Sequence, residues 1–310
     1  MATVTPALLE EIRRALPQLQ LRENEPMRAH CSFRIGGPAA AMALPASQQE
    51  LSELTALLHR RGVRPFLLGN GTNLLVEDAP LDLFVIKPAG ALAACRVDGT
   101  RVTAGCAVTL AALACTARDA SLTGLEFAHG IPGTLGGALF MNAGAYGGEM
   151  KDVCTCVLCM DETGALHRVS AAEAGFFYRH SRFADDGSTV VSAELTLAPG
   201  DRAAIEARMC ELAQKRRASQ PLEKPSAGST FKRPANGYAA AMIDQAGLRG
   251  YAVGAAQVSP KHAGFVVNNG GATFDEVIAL MRHIQKTVYE RFGTRLEPEV
   301  RIIGSKSWNF

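Results

Sequence analysis

The alternation of apolar and polar positions divides the chain into stretches of helical and strand period. Pro6 to Leu16 is amphipathic with proline in its first turn, which predicts an opening helix. Ser47-Gln48-Gln49-Glu50 reads as a capping box, with Ser47 bonding the amide three residues on and Glu50 reaching back; the helix it starts ends at Gly62. Strands are predicted at 65–68 and 83–87, then an Ala- and Leu-rich helix at 109–119. After a glycine-dense stretch come strands near 153–160, 165–169 and 190–197. Asp201 caps a helix over 202–217 with apolar residues at 205, 209 and 212, and 219–228 reads as an irregular connection. A helix over 239–246 and a strand near 265–267 follow. A second capping box, Thr273-Phe274-Asp275-Glu276, opens a helix that closes at Gly293, and 296–303 reads as a final strand. Helices and strands interleave without regular βαβ spacing, so the expected class is α+β rather than a doubly wound sheet. No internal repeat or low-complexity tract is visible.

Composition narrows the function classes. The 310 residues carry 32 Lys+Arg against 30 Asp+Glu, a net charge of +2, and are 47% hydrophobic. That balance argues against disorder and against a protein that lives on nucleic acid through counterion release. No run approaches the roughly 18 apolar residues of a membrane span, and no basic segment leads into an apolar stretch at the N-terminus; a cytoplasmic protein is expected. Eight cysteines, at 31, 95, 106, 115, 154, 156, 159 and 210, are too scattered for a disulfide framework. Cys156-Val157-Leu158-Cys159 is formally a CxxC, but no second pair follows for zinc and the segment reads as a strand; small buried thiols are expected.

Two stretches concentrate the 30 glycines. One runs Leu67-Leu68-Gly69-Asn70-Gly71-Thr72-Asn73-Leu74-Leu75-Val76. The other runs Gly130-Ile131-Pro132-Gly133-Thr134-Leu135-Gly136-Gly137 and on through Asn142, Ala143 and Gly144 to Glu149. Glycine lets backbone approach a ligand closely, and successive free N–H groups make an anion nest. Two such loops, mixed with Asn, Thr and Tyr, fit a nucleotide diphosphate and its ribose, with plain turns as the competing reading. The first lacks the third glycine and the later acidic residue of a Rossmann fingerprint, and neither ends as a Walker A loop.

Four further groupings carry polar chemistry. Tyr178-Arg179-His180-Ser181-Arg182-Phe183 offers two guanidinium forks suited to phosphate or carboxylate, or else a solvated basic loop. In Gly228-Ser229-Thr230-Phe231-Lys232-Arg233-Pro234, Ser229 can be a proton donor, a nucleophile or a turn residue, though no nucleophile elbow surrounds it. Gln257 to Phe265 contains Lys261 and a lone His262, more often a satisfied structural group than a ligand. On a strand, Glu297, Glu299 and Arg301 share a face, so either Glu299 points inward or the three form a surface salt-bridge row. The residues alone stop at a nucleotide-cofactor enzyme with anion recognition.

Taken together and in order, Gly69–Val76, Gly124-Leu125-Glu126-Phe127 with Gly130–Gly133, Met141–Glu149, Tyr178-Arg179-x-Ser181-x-Phe183, Ala227-Gly228-Ser229-x-Phe231-Lys232, Lys261–Phe265 and Leu296-Glu297-Pro298-Glu299-Val300 closely resemble the UDP-N-acetylenolpyruvoylglucosamine reductases, flavoenzymes of bacterial peptidoglycan precursor synthesis. The similarity runs from about Ser32 to Gly304. It implies a vanillyl-alcohol-oxidase-like (PCMH-type) FAD-binding fold with a C-terminal α+β substrate domain, divided at 1–88, 89–200 and 201–310. By resemblance, FAD is held without a covalent link by Leu68, Gly69, Asn70, Gly71, Thr72, Asn73 and Leu74, and by Gly130, Ile131, Pro132, Gly133, Gly136, Gly137, Asn142, Ala143 and Gly144. His129, beside that loop, is expected to carry no flavin bond.

The catalytic positions carried over are Arg179, Ser229 and Glu299. Tyr178, Lys232, Arg233 and Gln257 fall to the substrate, and no metal is implied. The implied reaction passes a hydride from NADPH through FAD to UDP-N-acetylglucosamine enolpyruvate, with Arg179 and a protonated Glu299 stabilising the charge that builds on the carboxylate. Ser229 hands over the proton, and Lys232 is expected to favour the alkoxide left behind. The short stretch from Tyr178 to Val191 lacks a longer tyrosine-bearing loop and matches the second subgroup. The protein is expected to act as a monomer. An FAD oxidase using oxygen would lack the Arg179, Ser229 and Glu299 set, and a non-catalytic nucleotide-sugar regulator would have no reason to keep Ser229 and Glu299.

Overall fold

The structure, a computed structural model, describes residues 3–304, which cluster into two compact units. Unit 1 takes the chain to Glu23, Ala40–Asn70 and Asp82–Lys215; unit 2 takes Asn24–Ala39, Gly71–Leu81 and the chain from Arg216.

In unit 1, α1 (Pro6–Ala15) is capped by Thr5, starts on Pro6, and buries Leu8, Leu9 and Ile12. α2 (Gln48–Arg60) starts where expected, but its cap differs from a reciprocal box. Ser47 Oγ accepts from Glu50 N at 3.1 Å, whereas the Glu50 carboxylate reaches one residue further back, to Ala46 N at 2.7 Å. α3 (Leu110–Asp119) follows Thr109, whose hydroxyl accepts from Ala112 N, and buries Leu110, Leu113, Ala114 and Ala117 as one stripe. α3 packs against the Cys95–Asp98 edge of an antiparallel five-stranded sheet in the order Leu166–Ser170, Cys154–Met160, Thr189–Thr196, Arg101–Gly105, Cys95–Asp98. A continuous core runs from Ile12 and Leu54 through Val102 and Leu139 to Phe183. The short α4 (Leu135–Phe140) and α5 (Arg182–Asp185) carry the functional loops, and α6 (Arg202–Ser219) buries Ile205, Met209 and Leu212, the three positions its period marked. Asp201 does cap it, accepting from Ala204 N at 2.8 Å.

Unit 2 contains a three-stranded antiparallel sheet, Ala252–Val253, Ala256–Val258 and Val266–Asn268, with α7 (Ala239–Gln245) and α8 (Phe274–Phe292). The Thr273 capping box forms in full, and α8 buries Val277, Met281, Ile284 and Val288 down one face. The final strand is shorter than predicted, Arg301–Ile303, and pairs in parallel with Leu74–Val76. Pro298 explains the shortening. It sits opposite Phe231 in an isolated bridge, with Lys232 N donating to Glu297 O and Glu299 N to Thr230 O. The proline therefore occupies a position where no ladder donor is needed, and the regular strand starts only beyond it.

All eight cysteines are free thiols. The CxxC lies on a strand, and burial pushes Cys106 and Cys154 up to about 12, which makes them inert. Cys210 departs from the expectation of buried thiols: it is exposed on α6. Among the described residues no helix is long and apolar enough to cross a membrane.

Candidate active site

Unit 1 joins the two glycine loops at their start. Leu68 is buried and donates to Ile86 O at 2.9 Å, fixing the chain as it leaves strand Phe66–Leu67. A Cβ on Gly69 would run into Thr134 Oγ1, so glycine is what lets the loops meet there. Asn70 Nδ2 then donates to Pro132 O at 2.9 Å and clips one loop to the other. The second loop is anchored from beneath: Ile131 N bonds Ala128 O, Leu110 N bonds Gly133 O, and Gly136 N bonds Cys106 O at 2.9 Å. Gly130 and Gly133 stay half-exposed and Gly137 exposed, leaving side-chain-free backbone accessible. Beside it, His129 Nδ1 is buried with no hydrogen-bond partner among the described residues. Bare backbone and an orphaned ring nitrogen at one place fit a dinucleotide cofactor whose polar groups complete the site.

The remaining residues of the first loop belong to unit 2. Gly71 has φ +60°, a Cβ there would overlap the His30 carbonyl, and its own carbonyl accepts from Ser32 N at 3.1 Å. Thr72 is half-buried, and Leu74 is buried in the parallel pair. Asn73 Nδ2 donates to Glu299 O at 3.0 Å, and Arg301 N donates to Asn73 O at 2.9 Å. This loop therefore fixes the backbone of a predicted catalytic residue 226 positions away.

Arg179 sits in a two-residue turn. Phe177 and His180 exchange backbone hydrogen bonds of 3.1 and 3.2 Å, and their rings lie 4.2 Å apart. Tyr178 and Arg179 fill the turn, with the guanidinium 5.3 Å from the Tyr178 ring and Arg179 Nη2 donating to Gly144 O at 3.4 Å. Arg179 has φ +54°, a conformation costing a non-glycine residue roughly 1–2 kcal/mol. Such strain persists only where the surroundings over-determine it.

In unit 2, Ser229 is exposed, and its hydroxyl makes no hydrogen bond among the described residues. Its neighbour Thr230 is the clamp. Thr230 is 5% exposed, donates from N to Gly264 O, accepts at Oγ1 from Val266 N, and accepts at its carbonyl from Glu299 N at 2.9 Å. Ser229 and the half-buried Glu299 are thus carried by two segments joined through Thr230.

The predicted substrate residues differ in how free they are. Tyr178 is exposed at the turn. Lys232 Nζ lies 3.4 Å from the exposed Glu297 carboxylate, a surface ion pair. The Arg233 guanidinium stacks 4.0 Å over the Tyr238 ring. Gln257 has both ends of its amide engaged, donating to Gly250 O at 2.9 Å and accepting from Asn269 Nδ2 at 3.0 Å. His262 is the satisfied structural group, its Nδ1 accepting from Gly264 N and burial lowering its pKa. Sequence reasoning missed Thr134, Thr230 and Glu149, whose partners lie far away in sequence or across the loops.

An α+β fold with two backbone-lined glycine loops and an adjacent fixed guanidinium defines a nucleotide-cofactor protein, and residues 39–170 match the family model of the FAD binding domain, which makes it a flavoprotein. Residues 220–303 match the UDP-N-acetylenolpyruvoylglucosamine reductase C-terminal domain. The chain is 46% identical to UDP-N-acetylenolpyruvoylglucosamine reductase of Caldanaerobacter subterraneus subsp. tengcongensis over 96% of its own length and 99% of that protein's. It is 43% identical to the reductase of Limosilactobacillus fermentum at the same coverages. The crystal structure of the Thermus caldophilus reductase superposes with a TM-score of 0.79 at 33% identity, covering 93% of this chain and 99% of that one. The chain belongs to the UDP-N-acetylenolpyruvoylglucosamine reductase family, as the motifs implied.

Proposed function

We propose that the protein reduces UDP-N-acetylglucosamine enolpyruvate to UDP-N-acetylmuramate with NADPH, a step of peptidoglycan precursor synthesis. The observation that carries the reading is the exposed, unpartnered Ser229 hydroxyl held one residue from the Thr230 clamp to Glu299. A serine whose exposed hydroxyl is left free on a clamped backbone suits proton delivery better than it suits structure. FAD, when bound, supplies the carrier that takes a hydride from NADPH and passes it to the terminal vinyl carbon. Gly69, Asn70, Gly130–Gly133 and Gly137 would hold its diphosphate through backbone, and His129 Nδ1 would meet one of its polar groups. Leu68, Gly71–Leu74, Gly136, Ala143 and Gly144 would support the same loops.

The chain's own residues manage charge and proton. As the vinyl carbon accepts hydride, negative charge builds on the carbon bearing the carboxylate. In this reading the Arg179 guanidinium stabilises that charge, and Glu299, when protonated, serves as a hydrogen-bond donor to it. Ser229 then gives its proton to the carbon, completing the addition of two hydrogens. Lys232 and Arg233 suit the diphosphate of the substrate, and Tyr178 its sugar-side face. The domain limits fall at 1–88 and 89–200 for the FAD-binding parts and 201–310 for the substrate domain. The enzyme acts as a cytoplasmic monomer, with neither membrane nor nucleic acid as partner.

The test is the product. Without oxygen, purified protein should consume NADPH beyond one equivalent per FAD only when the enolpyruvyl sugar nucleotide is supplied, and in heavy water should place one deuterium on the carbon bearing the carboxylate. NADPH consumption driven by oxygen alone would favour the oxidase reading instead.

A further inference from the structure

Asn142 sits where two tight hairpins meet. One hairpin pairs Gly144–Ala145 with Gly148–Glu149 around Tyr146 and Gly147; the other is the Phe177–His180 turn that carries Arg179. Asn142 is 0% exposed, and its carboxamide is used at both ends. Nδ2 donates to Phe177 O at 3.1 Å and to Glu149 Oε2 at 2.9 Å, while Oδ1 accepts from Lys151 N at 3.0 Å. Both N–H donors are spent on protein, so none remains for a bound cofactor. Phe177 O belongs to the peptide leading into Tyr178, so Asn142 fixes the entrance of the turn. Its exit is fixed by Ser181, 0% exposed, whose hydroxyl donates to Phe140 O at 2.7 Å.

The Glu149 carboxylate completes the brace. Lys151 at 2.9 Å, then Asn142, then the charge of Arg179 hold its carboxyl below the usual carboxylate range. Backbone strain is concentrated here as well. Among the described residues six non-glycines have positive φ, and three of them, Asn142, Tyr146 and Arg179, lie on these two hairpins.

We propose that Asn142 and Glu149 are positioning residues for Arg179: the buried Asn142 amide, oriented by the Glu149 carboxylate, pins the turn that presents the guanidinium. The proposal rests on the role given to Arg179 above. It changes the expectation for Asn142, which then acts through the protein rather than on FAD.

The test uses the FAD-loaded protein, Asn142→Gly, which tolerates the +42° φ, and Glu149→Gln, which keeps an acceptor for Asn142 on a side chain 28% exposed. Both should retain FAD with unchanged affinity and visible spectrum and bleach with NADPH at the wild-type rate. Recolouring by the enolpyruvyl substrate should slow by about 10- to 100-fold in Asn142→Gly, and less in Glu149→Gln, because small misplacements of a positioned group are costly. Combined with Arg179→Gly, either change should add almost nothing, since it acts through the residue already removed. Wild-type recolouring in both variants, loss of FAD affinity with a shifted spectrum, or multiplicative effects in the double variants would overturn the proposal. Should Asn142→Gly not fold, Glu149→Gln alone decides between these results. Wild-type protein that bleaches but fails to recolour with substrate would overturn the functional reading itself, and this proposal with it.

Discussion

Ser229→Ala is expected to leave FAD bound and its bleaching by NADPH intact, while recolouring by UDP-N-acetylglucosamine enolpyruvate slows by about 10²- to 10⁴-fold, the usual worth of a positioned general acid. The separation follows from where Ser229 stands. Its hydroxyl is exposed and makes no hydrogen bond among the described residues, so its loss should change stability by no more than about 0.5 kcal/mol. The structural work at this corner belongs to Thr230, whose hydroxyl and backbone tie Val266, Gly264 and Glu299 together. In the proposed mechanism the NADPH half-reaction needs no proton from Ser229, whereas the enolpyruvyl carbon does. Stopped-flow traces of the two half-reactions check this directly, and equal slowing of both would remove Ser229 from proton delivery.

Arg179→Gly carries the second large effect, and its two readouts move in opposite senses. In the proposed mechanism, losing the guanidinium removes the donor that stabilises the developing carboxylate charge, worth about 10²- to 10³-fold in the substrate half-reaction. The same change relieves a non-glycine residue held at φ +54°. That relief of roughly 1–2 kcal/mol is partly offset by glycine's greater backbone entropy, leaving a net gain of a few tenths to about 1 kcal/mol. Tm should therefore rise by about 1–2 °C. Arg179→Lys should cost activity through loss of the planar fork and gain no stability, because lysine is strained at that φ as arginine is. Calorimetry of the three proteins tests whether strain is stored at this turn; a lower Tm for Arg179→Gly would deny it.

Much of this architecture is written in local signals. The capped helices α1, α3, α6 and α8 follow from Thr5, Thr109, Asp201 and Thr273, each of which accepts from its own first turn as its residue type dictates. Strands fared worse for physical reasons. Gln20–Pro26 is polar on both faces and half-buried, so it shows no alternation, and Pro38–Leu44 is an alanine-rich run whose period is ambiguous. The Cys95–Asp98 and Arg101–Gly105 hairpin closes on the two-residue loop Gly99-Thr100, with glycine at positive φ in its first position, a local turn signal between short alternating runs. The site divides in the same way. Its glycine loops and the Arg179, Ser229 and Glu299 motifs are local patterns. The bonds that brace them are not, since Phe177 O is 35 residues from Asn142, and Glu299 O is 226 from Asn73. The loops and residues proposed for cofactor and catalysis are thus legible in order along the chain, whereas what holds them still is visible only after folding.

The measurement that tests the central claim is an anaerobic visible spectrum of the purified protein, followed through addition of NADPH and then of UDP-N-acetylglucosamine enolpyruvate. The account predicts a yellow flavoprotein that bleaches with NADPH and recolours on adding that substrate without oxygen. A protein that recolours only when air is admitted, or that takes up no FAD at all, would contradict it.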